Sequence, residues 1–228
     1  MVLSLGGSIV APEGADVDFL RDFVKLTRHQ LSIEEDRRFI FVVGGGGPAR
    51  AWQKAYRDVS ADFSPLDDEA ADWIGVMATR LNAQLVKAVM GDLCKDEVVI
   101  DPSGGAEFTG RALVAAGWKP GFSSDFDAVL LAEKFGARTL INLSNIEYVF
   151  TDDPRTNPSA RPLDMISWKD FRLMVGEEWI PGKNTPFDPV ASRYAEKIGL
   201  KVICAAGRNL PNLENILNGK PFIGTTIN

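Results

Sequence analysis

Clusters of glycine follow several apolar stretches of this 228-residue chain, and they could hold the phosphate groups of a ligand. Gly6-Gly7-Ser8 follows MVLSL, Gly44–Gly47 follows FIFVV, and Gly117–Ser124 follows ALVAA. Glycine costs conformational entropy on folding, so four in succession need a compensating role. Turns that precede helices present backbone N–H groups to one point, where the helix dipole also favours an anion. Three such turns therefore predict a phosphate site.

None of these turns matches a phosphate motif that works as a single loop. The P-loop pattern GxxxxGK[ST] is absent, and the turn after the first apolar stretch does not open with GxGxxG. Gly44–Gly47 continues as Pro-Ala-Arg, which does not complete a dinucleotide fingerprint. Several loops must therefore form the site together. Such a site suits a ligand with several phosphates, or two phosphate ligands that meet.

Alternating strands and helices must position these turns. The apolar patterns predict strands at residues 1–5, 39–43, 97–100, 112–116, 139–143 and 201–205, and a closing strand in the final FIGTTI. They predict helices at residues 18–30, 48–58, 68–90, 125–135, 167–175, 188–198 and 213–217. This order predicts an α/β fold: a three-layer sandwich with a mainly parallel central sheet covered by helices on both faces. Ligands of such sheets bind at the carboxyl ends of the strands, where the glycine turns lie.

Composition argues against several other classes of function. The chain has 25 basic and 31 acidic residues and a net charge of −6, which disfavours bulk electrostatic binding to nucleic acid or to an anionic membrane. One histidine and two cysteines, which we expect to be buried, offer neither metal-ligand spacing nor Cys/His or Ser/His/Asp catalysis. MVLSLGGSIV is interpreted as a first strand and not as a signal peptide, and no apolar run is long enough to span a membrane. We therefore expect a cytoplasmic protein.

Six stretches resemble the amino acid kinase family and, within it, the uridylate (UMP) kinases of the archaeal type. They occur in the family's order and spacing and cover nearly the whole chain, and the third is the most specific to the uridylate kinases. The stretches are LGGSIV (5–10), VVGGGGPAR (42–50), DWIGVMATRLNAQLV (72–86), GWKPGFSSD (117–125), SNIEYVFTDDP (144–154) and FDPVAS (187–192).

The resemblance implies a fold, a reaction and an assembly. It implies one amino acid kinase domain over residues 1–228, with an acceptor-binding half at about 1–135 and an ATP-binding half at 136–228. The implied reaction transfers the γ-phosphoryl group of ATP to UMP, with Mg²⁺ held mainly by the ATP phosphates and not by a separate metal site. The implied assembly is a homo-oligomer, usually a hexamer.

The resemblance also assigns roles to individual residues. Asp125 matches the aspartate that organises the catalytic centre, and Asp188 matches a second aspartate near the transferred phosphoryl group. On the acceptor side, Asp72 matches the residue that binds the ribose hydroxyls. The residues implied to hold the UMP phosphate are Gly45, Gly46, Arg50, Ser123 and Ser124, and those implied to bind ATP are Gly6, Gly7, Asn145, Phe150 and Asp153.

Two departures from the family pattern keep alternatives open. Ser4 stands where many members carry a lysine on the ATP phosphates, and Lys119 or Lys183 could supply the missing cation. Glu147 and Tyr148 replace the usual aspartate and glycine of the ATP loop. The alternatives are a nucleotide-binding or storage paralogue without turnover, and a kinase for another small acceptor.

Four further residues near these motifs are interpreted individually. We interpret Asp127 as a solvated helix residue and Gly44 as part of the turn itself. A larger residue is expected to be tolerated at Gly47, which is given no role. Arg80 faces either the ligand or an oligomer partner.

Overall fold

The computed structural model describes residues 1–63, 65–176 and 185–228. Within these residues, the main sheet has seven strands in the order β3-β2-β1-β4-β8-β9-β7, and β5 and β6 form a separate pair. The strands are β1 Val2–Leu5, β2 Phe39–Val43, β3 Ala112–Ala115, β4 Thr139–Ser144, β5 Val149–Phe150, β6 Pro162–Leu163, β7 Met165–Ile166, β8 Lys201–Ala206 and β9 Thr225–Ile227. The helices are α1 Gly7–Val10, α2 Val17–Ile33, α3 Gly46–Ser60, α4 Asp68–Met90, α5 Ser124–Lys134, α6 Trp168–Val175, α7 Pro189–Lys197 and α8 Leu210–Leu217.

The three-layer α/β prediction is confirmed. β3, β2, β1, β4 and β8 pair in parallel, and β9 pairs antiparallel with β8. Strands β1, β2 and β3 are buried along their whole length, as expected for strands covered on both faces. Alternate residues point to opposite faces: Leu3 and Leu5 pack in the cluster of α2, α4 and α8, whereas Val2 packs in that of α5, α6 and α7. Ser4 therefore faces the α5 layer.

Some boundaries differ from the sequence prediction. The strand predicted at 97–100 is wrong, because only Val99 pairs, in an isolated bridge to Ala115. The chain turns away immediately afterwards, where the Asp101 side chain accepts the N–H of Ser103 at 2.8 Å. Helix α3 begins at Gly46, two residues before the predicted start at Pro48, and helix α1 was not predicted.

The carboxyl ends of β1, β2 and β3 each lead towards a helix that begins at the same edge of the sheet. The helices are α1 after β1, α3 after β2, and α5 after β3 and the loop that follows it. This topology brings the three predicted phosphate turns together. In the described part of the chain, no helix combines the length and apolarity that crossing a bilayer requires.

Candidate active site

The first two glycine turns lie backbone against backbone. Gly46 has a φ of +65°, and a Cβ built there would lie 2.3 Å from the carbonyl oxygens of both Gly7 and Ala11. A Cβ on Gly7 would lie 2.0 Å from the Gly46 nitrogen. The N–H of Gly44 donates to Leu5 O at 2.9 Å, which agrees with a role in the turn. Glycine is therefore required at these positions so that two main chains can approach closely.

The interpretation of Gly47 as replaceable is wrong. A Cβ at this position would lie 2.1 Å from the carbonyl oxygen of Pro12. The Gly47 N–H also donates to Ala11 O at 2.8 Å, which keeps the segment after α1 against the turn. A larger side chain would have to push these two backbones apart.

The buried side-chain amide of Asn82 on α4 binds the backbone of the glycine turn after β2. Asn82 is 5% exposed, and its Nδ2 donates to Gly44 O at 2.9 Å and to Gly45 O at 3.0 Å. Sequence reasoning did not single out this residue. Its signal was a polar side chain between the buried residues Ala78 and Val86 of the same helix. Buried polar groups are nearly always hydrogen-bonded, so such a position predicts a backbone partner.

A cavity of about 300 Å³ opens beside these turns, between α3, α4, the segment 117–124 and the start of α7. Asp72 accepts the Gly121 N–H at 3.3 Å, and the exposed Arg50 donates to Pro12 O at 3.3 Å. All the residues predicted to bind UMP line this cavity, together with Asp188: they are Gly45, Gly46, Arg50, Asp72, Ser123 and Ser124. The cavity also contains Gln53, Thr79, Lys119, Phe122 and Phe126, which were not assigned to UMP from the sequence.

Asp125 and Asp188 meet where α5 and α7 begin. Asp125 accepts the Ser4 hydroxyl at Oδ1 and the Asp188 N–H at Oδ2, both at 3.2 Å. Asp125 does not cap α5, because the N-cap is Ser123, whose side chain accepts the Phe126 N–H. Asp188 caps α7 by accepting the Ala191 N–H at 2.7 Å. The structure therefore brings the two predicted catalytic residues into contact with each other.

Burial and mutual repulsion disfavour the ionised form of these carboxyl groups. Burial raises the pKa of Asp125 to about 7, and the nearby negative charge of Asp188 adds to the rise. Burial also raises the pKa of Asp188, although the Ala191 N–H and the Ser123 hydroxyl oppose it. The pair thus lacks a neutralising cation among its described neighbours. A cation that arrives with a ligand would favour both ionised forms.

A row of polar side chains crosses the sheet on the face covered by α5. Ser4, Asn142 and Cys204 occupy neighbouring positions in register on β1, β4 and β8. Asn142 donates to Pro186 O at 2.9 Å, which holds the segment that leads to Asp188. Burial raises the pKa of the Cys204 thiol to about 12, so this cysteine is an unreactive buried side chain, as expected. The sequence signal for Asn142 was one amide inside the apolar run TLINL.

The residues predicted to bind ATP are distributed differently. Gly6 donates to Leu143 O at 2.9 Å, and Gly7 contacts the glycine turn at the start of α3. Asn145 is exposed after β4, and the Phe150 ring packs edge-on against Tyr148 at 6.4 Å. Asp153 pairs with Arg155 at 2.8 Å. None of these five residues lines the 300 Å³ cavity.

Of the two lysines considered in place of the missing first-loop lysine, Lys119 lines the cavity. Its Nζ lies 3.8 Å from the centroid of the Trp118 ring, a cation–π contact that orients the side chain. Lys183 lies outside the described residues.

The interpretation of Asp127 as solvated is wrong. Its side chain is fully buried in α5, and its Oδ2 accepts the Trp118 N–H at 3.1 Å. Arg80 donates to Trp118 O at 2.9 Å, so this contact is with the loop and not with either predicted partner. The helix periodicity did not show which face of α5 would pack inward.

Known proteins resemble this chain in sequence and in fold. The model of the amino acid kinase family matches residues 1–206. The chain is 33% identical to the uridylate kinase of Methanospirillum hungatei, with 100% of this chain and 94% of that protein covered. It is 32% identical to the uridylate kinase of Pyrococcus abyssi, with 100% and 98% covered.

Solved structures agree with this relationship. The crystal structure of uridylate kinase from Archaeoglobus fulgidus has a TM-score of 0.83 and 29% identity, with 100% of this chain and 99% of that chain covered. UMP kinase from Bacillus anthracis shares the fold, with a TM-score of 0.76 and 17% identity. The comparison covers 100% of this chain and 94% of that chain. The chain belongs to the amino acid kinase family.

Proposed function

We propose that this chain is a UMP kinase, which transfers the γ-phosphoryl group of ATP to UMP and releases UDP and ADP. The observation that carries the proposal is that one cavity, beside the Asp125–Asp188 pair, is lined by all the residues assigned to UMP. These are Gly45, Gly46, Arg50, Asp72, Ser123 and Ser124. The full-length similarity to uridylate kinases supports the same substrate. We place acceptor binding in residues 1–135 and ATP binding in residues 136–228 of one domain.

The lining of the cavity offers UMP a cation, several hydrogen-bond donors and a carboxylate. The Arg50 guanidinium, the first turn of α3 and the hydroxyl of Ser124 would bind the phosphate, because charge-assisted bonds to phosphate are strong. Asp72 would accept the ribose hydroxyls. The UMP phosphate has a second pKa of about 6 and is mostly a dianion at neutral pH, so the attack needs no general base. Catalysis then depends on alignment and on charge neutralisation.

Asp125 and Asp188 fit a role beside a Mg²⁺ ion that arrives with ATP. Magnesium in kinases is commonly held by phosphate oxygens plus one or two carboxylates. The described residues contain no group of three His, Cys, Asp or Glu side chains arranged for a metal ion. Two adjacent carboxyls suit such shared ligation, and a cation beside them would oppose the rise of their pKa values. The bound ion would neutralise charge on the transferring phosphoryl group, while Ser4 and the start of α7 keep Asp125 in place.

On the ATP side, we propose that Gly6 and Gly7 approach the phosphates and that Asn145, Phe150 and Asp153 surround the nucleoside. Lys119 is the candidate for the cation that Ser4 does not provide, because its side chain reaches the cavity wall.

We propose a homo-oligomer, with a hexamer implied by the family. Helices α3 and α4 expose large apolar side chains, among them Trp52 at 67%, Met77 at 56% and Leu81 at 70%. Apolar groups of this size in one region are typical of protein–protein interfaces. Sedimentation velocity of the purified chain tests this proposal. We also propose a cytoplasmic location, where both nucleotide substrates are made and used.

The decisive experiment incubates the protein with Mg·ATP and a panel of acceptors, namely UMP, CMP, a carboxylate and a carbamate, and measures ADP release. UMP-dependent ADP is the expected result. ADP only with a non-phosphate acceptor would replace the proposal by a kinase for another small molecule. Tight ATP binding without ADP from any acceptor would indicate a nucleotide-binding paralogue.

A further inference from the structure

A buried carboxylate lies behind the segment Gly117–Phe122, which we call the acceptor loop. Asp127 is 0% exposed, and its Oδ2 accepts the Trp118 N–H at 3.1 Å. Its Oδ1 has no hydrogen-bond partner among the described residues. Burying a carboxylate is costly unless its charge is compensated. The carboxylate therefore calls for an explanation other than packing.

Side chains from two helices bind the same residue of the acceptor loop. Asp127 of α5 accepts the N–H of Trp118, and Arg80 of α4 donates to its carbonyl oxygen at 2.9 Å. The bond from the Arg80 guanidinium is charge-assisted, and such bonds are stronger than those between neutral groups. Both main-chain polar groups of Trp118 are thus used, which fixes the position and rotation of this part of the loop.

Two further backbone N–H groups of the loop donate to side chains of α4. Gly117 donates to Thr79 Oγ1 at 2.8 Å, and Gly121 donates to Asp72 Oδ2 at 3.3 Å. The Asp127 bond differs because it joins the start of the loop to the helix that begins at its end, nine residues along the chain. Helix α5 also carries Asp125. This bond therefore couples the start of the acceptor loop to the helix that carries Asp125.

The loop, and not Asp127, lines the cavity. Lys119, Gly121 and Phe122 are among the lining residues, whereas Asp127 and Trp118 are not. The Trp118 ring packs against Phe122 at 4.8 Å and lies under the Lys119 ammonium at 3.8 Å. A displaced Trp118 would move both of these neighbours at the cavity wall.

We propose that Asp127 is a positioning residue for the phosphoryl acceptor, which acts by holding the Trp118 peptide so that the acceptor loop closes one wall of the cavity. The inference rests on the proposed UMP kinase function. It predicts that loss of the hydrogen-bond acceptor weakens UMP binding selectively, because the bond orders the acceptor side of the site.

The test compares Asp127→Leu, which removes the acceptor at similar volume, with Asp127→Asn, which keeps an oxygen for the Trp118 N–H. We expect Asp127→Leu to raise the KM for UMP about tenfold, the effect of about one hydrogen bond, with the KM for ATP changed by less than about twofold. Asp127→Asn should recover most of the UMP affinity. Hydrogen exchange of the segment 117–122 should be faster in Asp127→Leu than in Asp127→Asn.

The control is Asp96→Leu. Asp96 accepts the N–H groups of Thr109 at 2.7 Å and Gly110 at 3.1 Å, and it does not line the cavity. This variant should leave both KM values unchanged. An equal rise of both KM values in Asp127→Leu, or faster loop exchange with an unchanged KM for UMP, would overturn the proposal.

Two further measurements keep the outcome decisive. If Asp127→Leu does not fold, Arg80→Met probes the same peptide from α4 and should raise the KM for UMP selectively; an equal rise for ATP would count against the proposal. Turnover of the unaltered protein with UMP is measured first. If it is absent, the proposed function fails, while loop exchange and UMP binding by calorimetry still test the role of Asp127.

Discussion

The acceptor side and the proposed ATP side of this molecule are built in different ways. The acceptor cavity is walled by α3, α4 and a loop whose backbone is tethered by Thr79, Asp72, Arg80 and Asp127. The segment 144–164 carries three predicted ATP residues, and its polar contacts are mainly local, such as Asp153 with Arg155. Preformed sites bind with a smaller ordering cost. Under the proposed assignment, we therefore expect the acceptor wall to be set before binding and the contacts of 144–164 with ATP to form largely on binding.

The largest expected effect lies where the two sides meet. Asp125→Asn should lower kcat by about 10²–10³-fold, because charge stabilisation in the transition state is commonly worth that much. UMP binding, measured by calorimetry, should change little. The exposed Asp22→Asn on α2 serves as the control in steady-state assays. A normal kcat in Asp125→Asn would remove this residue from the proposed mechanism.

The next largest effect is the loss of stability when a methyl group is added at Gly46, between the two glycine turns. Gly46→Ala should lower the free energy of unfolding by about 3 kcal/mol, since the left-handed conformation alone costs roughly 1–2 kcal/mol and the clash with two carbonyl oxygens adds to it. Gly105→Ala is the matched control, because a Cβ there meets nothing within 4 Å. Urea denaturation measures both. Equal stabilities of the two variants would contradict the close approach of the turns.

Asp127 should make the stability of the ligand-free protein depend on pH. Burial raises its pKa from the ordinary value of 3.8 to about 7, so between these values the folded chain holds a proton that the unfolded chain has released. The resulting stabilisation is complete below pH 3.8 and is lost as the pH rises through about 7. Between pH 5 and pH 7, the free energy of unfolding should therefore fall by on the order of 2 kcal/mol more in the unaltered protein than in Asp127→Asn. Parallel pH profiles would show that Asp127 does not titrate in this way.

The smallest expected effect is a change in the KM for UMP but not in the KM for ATP when Arg50 is replaced. Arg50→Ala should raise the KM for UMP about tenfold, because one hydrogen bond to a charged group is lost, and should leave the KM for ATP nearly unchanged. Arg21→Ala, on an exposed part of α2, is the control. Steady-state kinetics with each substrate varied in turn provide the measurement. An equal rise of both KM values would mean that the α3 turn does not belong to the acceptor side alone.

Much of the fold and part of the site could be predicted from the sequence. The apolar patterns predicted the order of strands and helices. The continuous apolar run FIFVV predicted a strand buried on both faces, and all five residues are buried. The glycine turns were expected at one edge because parallel strands end at the same edge. The residues assigned to UMP by family resemblance line one cavity. The resemblance supplied their roles, which the patterns alone could not provide.

The residues that were misinterpreted or overlooked depend on contacts with other parts of the fold, which local sequence patterns do not show. Asp127 was interpreted as solvated because a carboxylate near the start of a helix is usually exposed, and helix periodicity alone does not say which layer covers it. Gly47 was considered replaceable because the family resemblance implies that a larger residue is accepted there. The close approach of Pro12 O depends on the path of the chain after α1, which the sequence pattern does not show. Asn82 and Asn142 were overlooked because their partners are main-chain carbonyls distant in sequence.

The sequence by itself determined the strand and helix order, the glycine turns and the family, because these depend on local patterns and short motifs. Only the tertiary structure decided that Ser4 bonds Asp125, 121 residues away, and that Asp127 and Arg80 hold one peptide between them. Such contacts depend on how two helical layers pack on a shared sheet. That packing is a cooperative property of the whole core, and no short segment of the chain encodes it.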